Sequence, residues 1–310
     1  MSLVKGRKMK QLIAPAALFV SLFTVSVNTN AGVGMLDQGE QLVSADLNFD
    51  AANKHWDVNR NVITNVCKAR NTGLTLGYEY GWSYYHTVYA NASLGHRRCG
   101  QNNLPGGGVA VSGSASGLGD VELGVRTRFG GNYLDSSAWE AFVIIPTGYD
   151  NASPSALGKG ALGAGLGVLF ASHPKDKFPY RSWGVSSKKW GWKAGSKFTY
   201  YFSGKGNSLR SYAAIQYAFT GSDFETTGDY LDLRIINNFG FSRGGIQRQI
   251  FINQVQTSIT SSDQTSIQLS YSHSFGNGWN TNLRIGRAFF GRNSPISWFT
   301  GLGVSYRWRD

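Results

Sequence analysis

Beyond residue 31 the chain has no apolar run long enough to cross a membrane as a helix, yet it alternates apolar and polar residues in one segment after another. Period-2 alternation sends successive side chains to opposite faces of a strand and does not suit a packed helix. In 119–129, Val121, Leu123, Val125, Thr127 and Phe129 share one face, opposite Asp120, Glu122, Gly124, Arg126 and Arg128. Segments 138–147, 161–171, 211–219, 229–236 and 301–308 repeat the pattern. Segments 41–50, 71–80, 83–94, 196–203, 246–257, 265–275 and 279–290 follow it more loosely. Strands of nine to eleven residues suit a tilted crossing of the hydrocarbon core.

Composition narrows the field. The chain of 310 residues holds 40 glycines and 7 prolines, with 14% aromatic and 15% charged residues. Disordered chains are charged and poor in aromatics. Collagen needs glycine at every third position, and helical bundles are rich in Ala, Glu, Lys and Leu. The remaining rival is a soluble β-sandwich, which also alternates. Two features favour a membrane barrel. Asp, Glu and Arg occupy mid-strand positions on the polar face, as a wet lumen would require. Aromatics also cluster at strand ends, at Trp82, Tyr84 and Tyr85; Trp190 and Trp192; Tyr200 and Tyr201; Trp298 and Phe299; Tyr306 and Trp308. Such clusters match interfacial girdles.

The expected fold is therefore all-β, a transmembrane antiparallel up-and-down β-barrel. An even strand number is expected, but the alternation yields thirteen candidates. Either a weak strand, such as 41–50, stands outside the barrel, giving 12 strands, or 178–187 adds one, giving 14; the expectation is 12. The run Ile250-Phe251-Ile252 breaks alternation. Near the end, Gly303, Tyr306 and Trp308 resemble the signal that outer-membrane barrels present to their assembly machinery.

Residues 1–31 read as a cleaved secretory signal peptide, with the barrel domain at 32–310. Lys5, Arg7, Lys8 and Lys10 precede an apolar stretch, and Thr29-Asn30-Ala31 offers a cleavage site. Removing these four bases leaves 26 basic and 18 acidic residues, net +8. That excess suits outer-membrane lipid and lipopolysaccharide phosphates in a Gram-negative cell, and no nucleic-acid-binding motif is present. The stretch 172–193 is strongly basic. Long connections are expected at 51–70, 95–117, 148–160 and 172–189, the first three on the outer side and the last in the periplasm. Cys67 and Cys99 fall in the first two, and in an oxidising compartment such a pair is expected to bond.

Sequence gives no support for metal or cofactor chemistry. Neither cysteine has a CxxC partner, and the histidines form no metal-binding pair. His273 and Ser274 could suggest a lipid hydrolase, but neighbours on a strand point to opposite faces, so the pair lacks base–nucleophile geometry and no enzyme is expected. The residues left for function are lumen candidates: Glu79, Asp120, Glu122, Arg126, Arg128, Glu140, Asp232, Arg234 and Arg307. They can brace the wall or set selectivity.

Gly117-Leu118-Gly119-Asp120 opens one strand, Pro146-Thr147-Gly148-Tyr149-Asp150 ends the next, and Leu157-Gly158-Lys159-Gly160 precedes a glycine-alternating strand. This order, over residues 117–170, resembles the outer-membrane family named for the MetA pathway of phenol degradation. The resemblance implies a transporter-like barrel passing hydrophobic or aromatic compounds, and it carries over no catalytic residue. The expected function is passive diffusion of a small solute, with a non-conducting structural or adhesive barrel as the alternative and a lipid-modifying enzyme as the second alternative.

Overall fold

The computed structural model describes residues 35–57, 59–100, 113–131, 135–147, 160–172, 189–202, 206–220, 227–241, 249–252, 255–258 and 261–309. The signal-peptide segment 1–31 and the stretch 178–187 lie outside them. Among the described residues every regular element is a strand: β1 (Glu40–Trp56), β2 (Val62–Ser83), β3 (His86–Gly100), β4 (Gly113–Gly131), β5 (Asp135–Ile145), β6 (Gly163–Ser172), β7 (Trp190–Tyr201), β8 (Asn207–Thr220), β9 (Thr227–Phe241), β10 (Gln249–Ile252), β11 (Val255–Ser258), β12 (Ser261–Phe275), β13 (Trp279–Arg292) and β14 (Ser294–Arg309).

Twelve of these close an antiparallel barrel in chain order, sealed where β1 pairs with β14 from Glu40↔Arg309 to Trp56↔Ser294. The surplus candidate is 246–257, not 41–50. Segment 41–50 lies within β1, whereas β10 and β11 pair only with each other, from Gln249↔Ser258 to Ile252↔Val255. The reason is chemical: Ile250-Phe251-Ile252 has no polar face to offer a lumen. Two expected loops are also much shorter. β1 ends at Trp56 and β2 begins at Val62, while β3 runs to Gly100 and β4 starts at Gly113. Cys67 and Cys99 are therefore on neighbouring strands rather than in loops. Their side chains lie outside the described residues. Ala69 is the register partner of Cys99, and Cys67 stands two residues from Ala69 along β2.

The outer wall is apolar. Leu76, Leu123, Val143, Leu166, Ile215, Leu233, Leu269, Leu283 and Leu302 all project outward and are exposed. Aromatics ring the rim where β1 begins and β14 ends. Ring centroids lie 4.8 Å apart for Trp190–Tyr217, 4.8 Å for Trp279–Tyr306 and 5.4 Å for Tyr306–Trp308. Tyr200, Phe202, Phe241 and Trp298 line the opposite rim. Between Trp298 and Tyr306 the strand rises roughly 27 Å, or about 20 Å along the membrane normal at ~40° tilt, close to the hydrocarbon band of such barrels. Two residues expected in the girdles turn inward instead. Tyr201 is 8% exposed, and the ring of Phe299 covers Gly286 from inside. Each follows an outward aromatic by one residue, so strand parity forces it to the other face.

Candidate functional site: the barrel interior

The inward face is polar along nearly its whole height, and two halves of it differ. On β2–β7 the side chains are charged and aromatic. Arg126 on β4 is 2% exposed. Its Nη1 donates to Glu79 Oε2 on β2 at 2.8 Å, and its Nε lies 3.5 Å from Glu140 Oε2 on β5. Lys197 on β7 donates to Glu122 Oε1 and lies 3.8 Å from Glu140 Oε1. Tyr89 on β3 donates to Glu140 Oε2 at 3.3 Å, and the Arg126 guanidinium stacks 4.4 Å over its ring. Strand pairing explains the convergence: Glu79↔Tyr89, Arg126↔Glu140 and Gly167↔Lys197 are register partners.

Glycines make room for these side chains. A Cβ at Gly124 would lie 2.4 Å from the Tyr89 ring, one at Gly165 would lie 2.1 Å from Phe142, and one at Gly167 would lie 2.7 Å from the Glu140 carboxylate. The inward glycines therefore do not leave an empty bore. They let large neighbours lie flat across the wall, which fills this half of the lumen.

The other arc, β12–β14 and β1 with the Thr75, Asn91 and Ser93 positions of β2 and β3, is lined mainly by hydroxyls and amides. One register row crosses six strands as Ser274, Asn280, Ser305, Ser44, Gly77 and Asn91. The next row runs Ser272, Asn282, Gly303, Asp46, Thr75 and Ser93. Among the described residues, Asn91 Nδ2, Asn280 Oδ1 and Asn282 Oδ1 are buried with no hydrogen-bond partner. Buried amides are ordinarily paired with protein or water. This arc thus presents hydrogen-bonding capacity to whatever fills the lumen.

The nine sequence candidates do not form one site. Glu79, Glu122, Arg126 and Glu140 meet in the network above. Asp232 and Arg234, on β9, pair with each other at 3.4 Å. Arg307 bonds Glu40 at the rim where the barrel closes. Arg128 is 5% exposed and stacks 4.5 Å from the Tyr84 ring, and among the described residues no carboxylate stands at salt-bridge distance from it. Asp120 stands at the upper part of β4, on the side of Tyr201. Sequence reasoning missed Lys197, Glu40 and the Asp46–Arg284 pair at 3.1 Å. Parity within 41–50, 196–203 and 279–290 carried the signal for all but Glu40.

Gly303 lies inside the barrel against Asn282 and Asp46, while Tyr306 stacks between Trp279 and Trp308. His273 sits on the outer wall, its Nδ1 2.8 Å from Asp229 Oδ1, while Ser274 is turned inward and buried. The structure therefore separates the two groups of the hydrolase alternative. No group of three or more His, Cys, Asp or Glu side chains suited to a metal ion occurs among the described residues.

No protein-family model matches the chain, and no curated protein matches it. Solved structures do. An outer membrane channel from Pseudomonas putida F1 superposes with a TM-score of 0.66 over 88% of this chain and 97% of its own, at 14% identity. The translocator domain of the autotransporter NalP from Neisseria meningitidis gives 0.46 over 88% and 90%, at 14% identity. The KdgM porin gives 0.41 over 85% and 98%, at 9% identity. At these identities the likeness to the Pseudomonas channel is one of fold: both chains form a closed antiparallel β-barrel, of twelve strands in this one.

Proposed function

We propose that this protein is an outer-membrane channel that passes small polar solutes by diffusion. The observation that carries this is the amide and hydroxyl arc on β12–β14 and β1–β3, with buried hydrogen-bonding atoms left unpaired inside an otherwise apolar-walled barrel. Water or a solute is the natural partner for such atoms. The polar lining favours polar solutes over the hydrophobic or aromatic compounds implied by the resemblance to the phenol-degradation family, and membership of that family is part of the proposal. The fold shared with the Pseudomonas channel supports the same reading.

In this reading residues 1–31 are removed on export, and the terminal Gly303, Tyr306 and Trp308 are read by the assembly machinery. The basic 172–193 stretch joins β6 to β7 at the rim where β1 begins, hence on the periplasmic side. Lipopolysaccharide then meets the opposite rim and the outer wall. The packed charges of β2–β7 favour a second reading, a barrel braced for a structural or adhesive role. Planar-bilayer recording and liposome swelling with sugars and amino acids separate the two. Discrete conductance and swelling support the channel; silence in both assays refutes it.

A further inference from the structure

We infer that the outward wall of β1–β3 at the outer rim is a binding site for a phosphorylated glycolipid of the outer leaflet, with Arg70 and Arg98 holding its phosphate. It rests on the outer-membrane placement proposed above and not on conduction.

Charge along the chain is lopsided here. Residues 51–119 hold six Lys or Arg and two carboxylates, Asp57 and Glu79. Glu79 is buried in the lumen against Arg126. Asp57 is taken up in its own turn, accepting from the backbone N–H of Asn59 at 2.8 Å and of Asn61 at 2.7 Å. Of the six bases, Arg97 faces inward and Arg60 pairs with Asp263. Lys54, Lys68, Arg70 and Arg98 are left, all exposed. Among the described residues none of these four has a carboxylate at salt-bridge distance.

Register brings two of them together. Arg70 on β2 and Arg98 on β3 are cross-strand partners, and Ala69 and Arg97 beside them are buried, so both guanidinium groups leave the wall on its outer side. Directly opposed side chains start ~5 Å apart, and like charges so placed destabilise a sheet. With no acid of the wall beside it, the pair calls for an anion from outside. Guanidinium groups take phosphate through paired N–H donors, and two at this spacing can share one phosphate. Ser114, the other register partner of Arg98, and the His96–Ser116 pair, Nδ1 to Oγ at 2.6 Å, add polar groups on the same face.

Height selects a lipid. Register rows climb toward the outer rim as strand number rises: one starts at Gln41, near the base of β1, and reaches Leu209, near the outer start of β8. Arg70 and Arg98 share a row with Trp298 of the outer girdle, through Ala51. At ~40° tilt each strand crossed lifts the row by about 3 Å, so the two arginines stand roughly 6 and 9 Å above Trp298, at the level of headgroups. Beneath them Leu47, Leu74, Leu94 and Leu118 form one row across β1–β4 that faces the hydrocarbon. Acyl chains fit that row, whereas a free phosphate gains nothing from it.

The test titrates lipid A bearing both phosphates into the full chain in non-ionic detergent, with folding verified by heat-modifiable gel mobility and affinity read from the rise in melting temperature. Arg70→Gln with Arg98→Gln should bind about thirty-fold more weakly than the parent, the share of two bases at a charged lipid surface. Lys189→Gln, exposed at the periplasmic rim, should bind as the parent does. Without lipid the double variant should melt no lower than the parent, because a like-charge pair is gone. A lower melting point would make the arginines part of the wall's own bracing and overturn the site, as would equal affinity of the double variant and the parent. Equal stabilisation by dephosphorylated lipid A, by phosphatidylglycerol or by inorganic phosphate overturns the assignment to a phosphorylated glycolipid. Cell fractionation separates this site from the reading it rests on. A barrel that bands away from the outer membrane removes both, whereas loss of the lipid effect in a barrel that bands with the outer membrane removes the site alone.

Discussion

Arg126 offers a quantitative test of the packed half of the lumen. Its guanidinium and the two carboxylates it faces are nearly out of water, with side-chain exposures of 2% for Arg126 and 6% for both Glu79 and Glu140. Replacing Arg126 by Met keeps most of its volume and removes its charge. Glu79 then loses its counter-ion and Glu140 is left with Lys197 at 3.8 Å, and removing one partner of a buried pair typically costs about 3–5 kcal/mol. The stack on Tyr89 adds about 1 kcal/mol, which places Arg126→Met toward the upper end. Arg128 provides the control: it is two residues along the same strand, on the same face, and also buried. Its Nε and Nη1 have no hydrogen-bond partner among the described residues, and no carboxylate of those residues is ion-paired with it. Arg128→Met forfeits about 1 kcal/mol of stacking and relieves a desolvated charge, so it should fall within about 1 kcal/mol of the parent. The assay is equilibrium urea unfolding in detergent micelles, followed by tryptophan fluorescence and gel mobility. Adding Glu79→Gln and Glu140→Gln to Arg126→Met should recover most of the loss, because the buried charges are then gone. Equal costs for the two single variants, or no recovery in the triple variant, would refute the account.

Other consequences are simpler to check. Gly165→Ala should lower unfolding stability by about 1–3 kcal/mol, since its Cβ would meet Phe142 at 2.1 Å and the Phe198 carbonyl at 2.3 Å, whereas Gly130→Ala, with Ser137 Cβ at 4.0 Å, should be close to neutral. Asn280→Asp with Ser305→Asp should shift the bilayer reversal potential toward cations and Asn280→Lys toward anions; no shift from either would place the solute path elsewhere. Cys67 and Cys99 should resist alkylation in unfolded, unreduced protein and react after reduction, and reduction should lower stability by about 3–4 kcal/mol in the chain-entropy view. Equal alkylation with and without reductant would rule the bond out.

What could be read ahead of the structure follows from the physics of a two-faced wall. Where a strand sees lipid on one side and a polar interior on the other, parity fixes every side chain, so the shared polar face of Glu79, Glu122, Arg126 and Glu140 was legible from single segments. Lys197 and the Asp46–Arg284 pair obey the same rule, but on strands whose alternation is diluted by Ser, Asn and Gly. The partnerships themselves were not readable. Arg126 meets Glu79 because two further strand registers align them, and register depends on bulges such as the shift between Ala92 and Leu94. Met35 and Leu36, which precede β1, left no periodic trace, because their burial exists only once the barrel has closed around them.

The glycines show how the halves of the lumen depend on each other. On β4 and β6 they lie beneath Tyr89, Phe142 and Glu140, so the bulk of the interior belongs to a few large side chains held flat against one arc. Gly301 and Gly303 on β14 do the same for Arg284, Asn282 and Asp46. A barrel of twelve strands is wide enough that uniform lining would leave either a broad pore or a poorly packed core. Crowding one arc with paired charges fills it without leaving those charges unpaired. The short Ser and Asn side chains opposite then border whatever passage remains. Selectivity in such a passage falls to neutral hydrogen-bonding groups, because most of the strong charges are occupied with one another across the packed side.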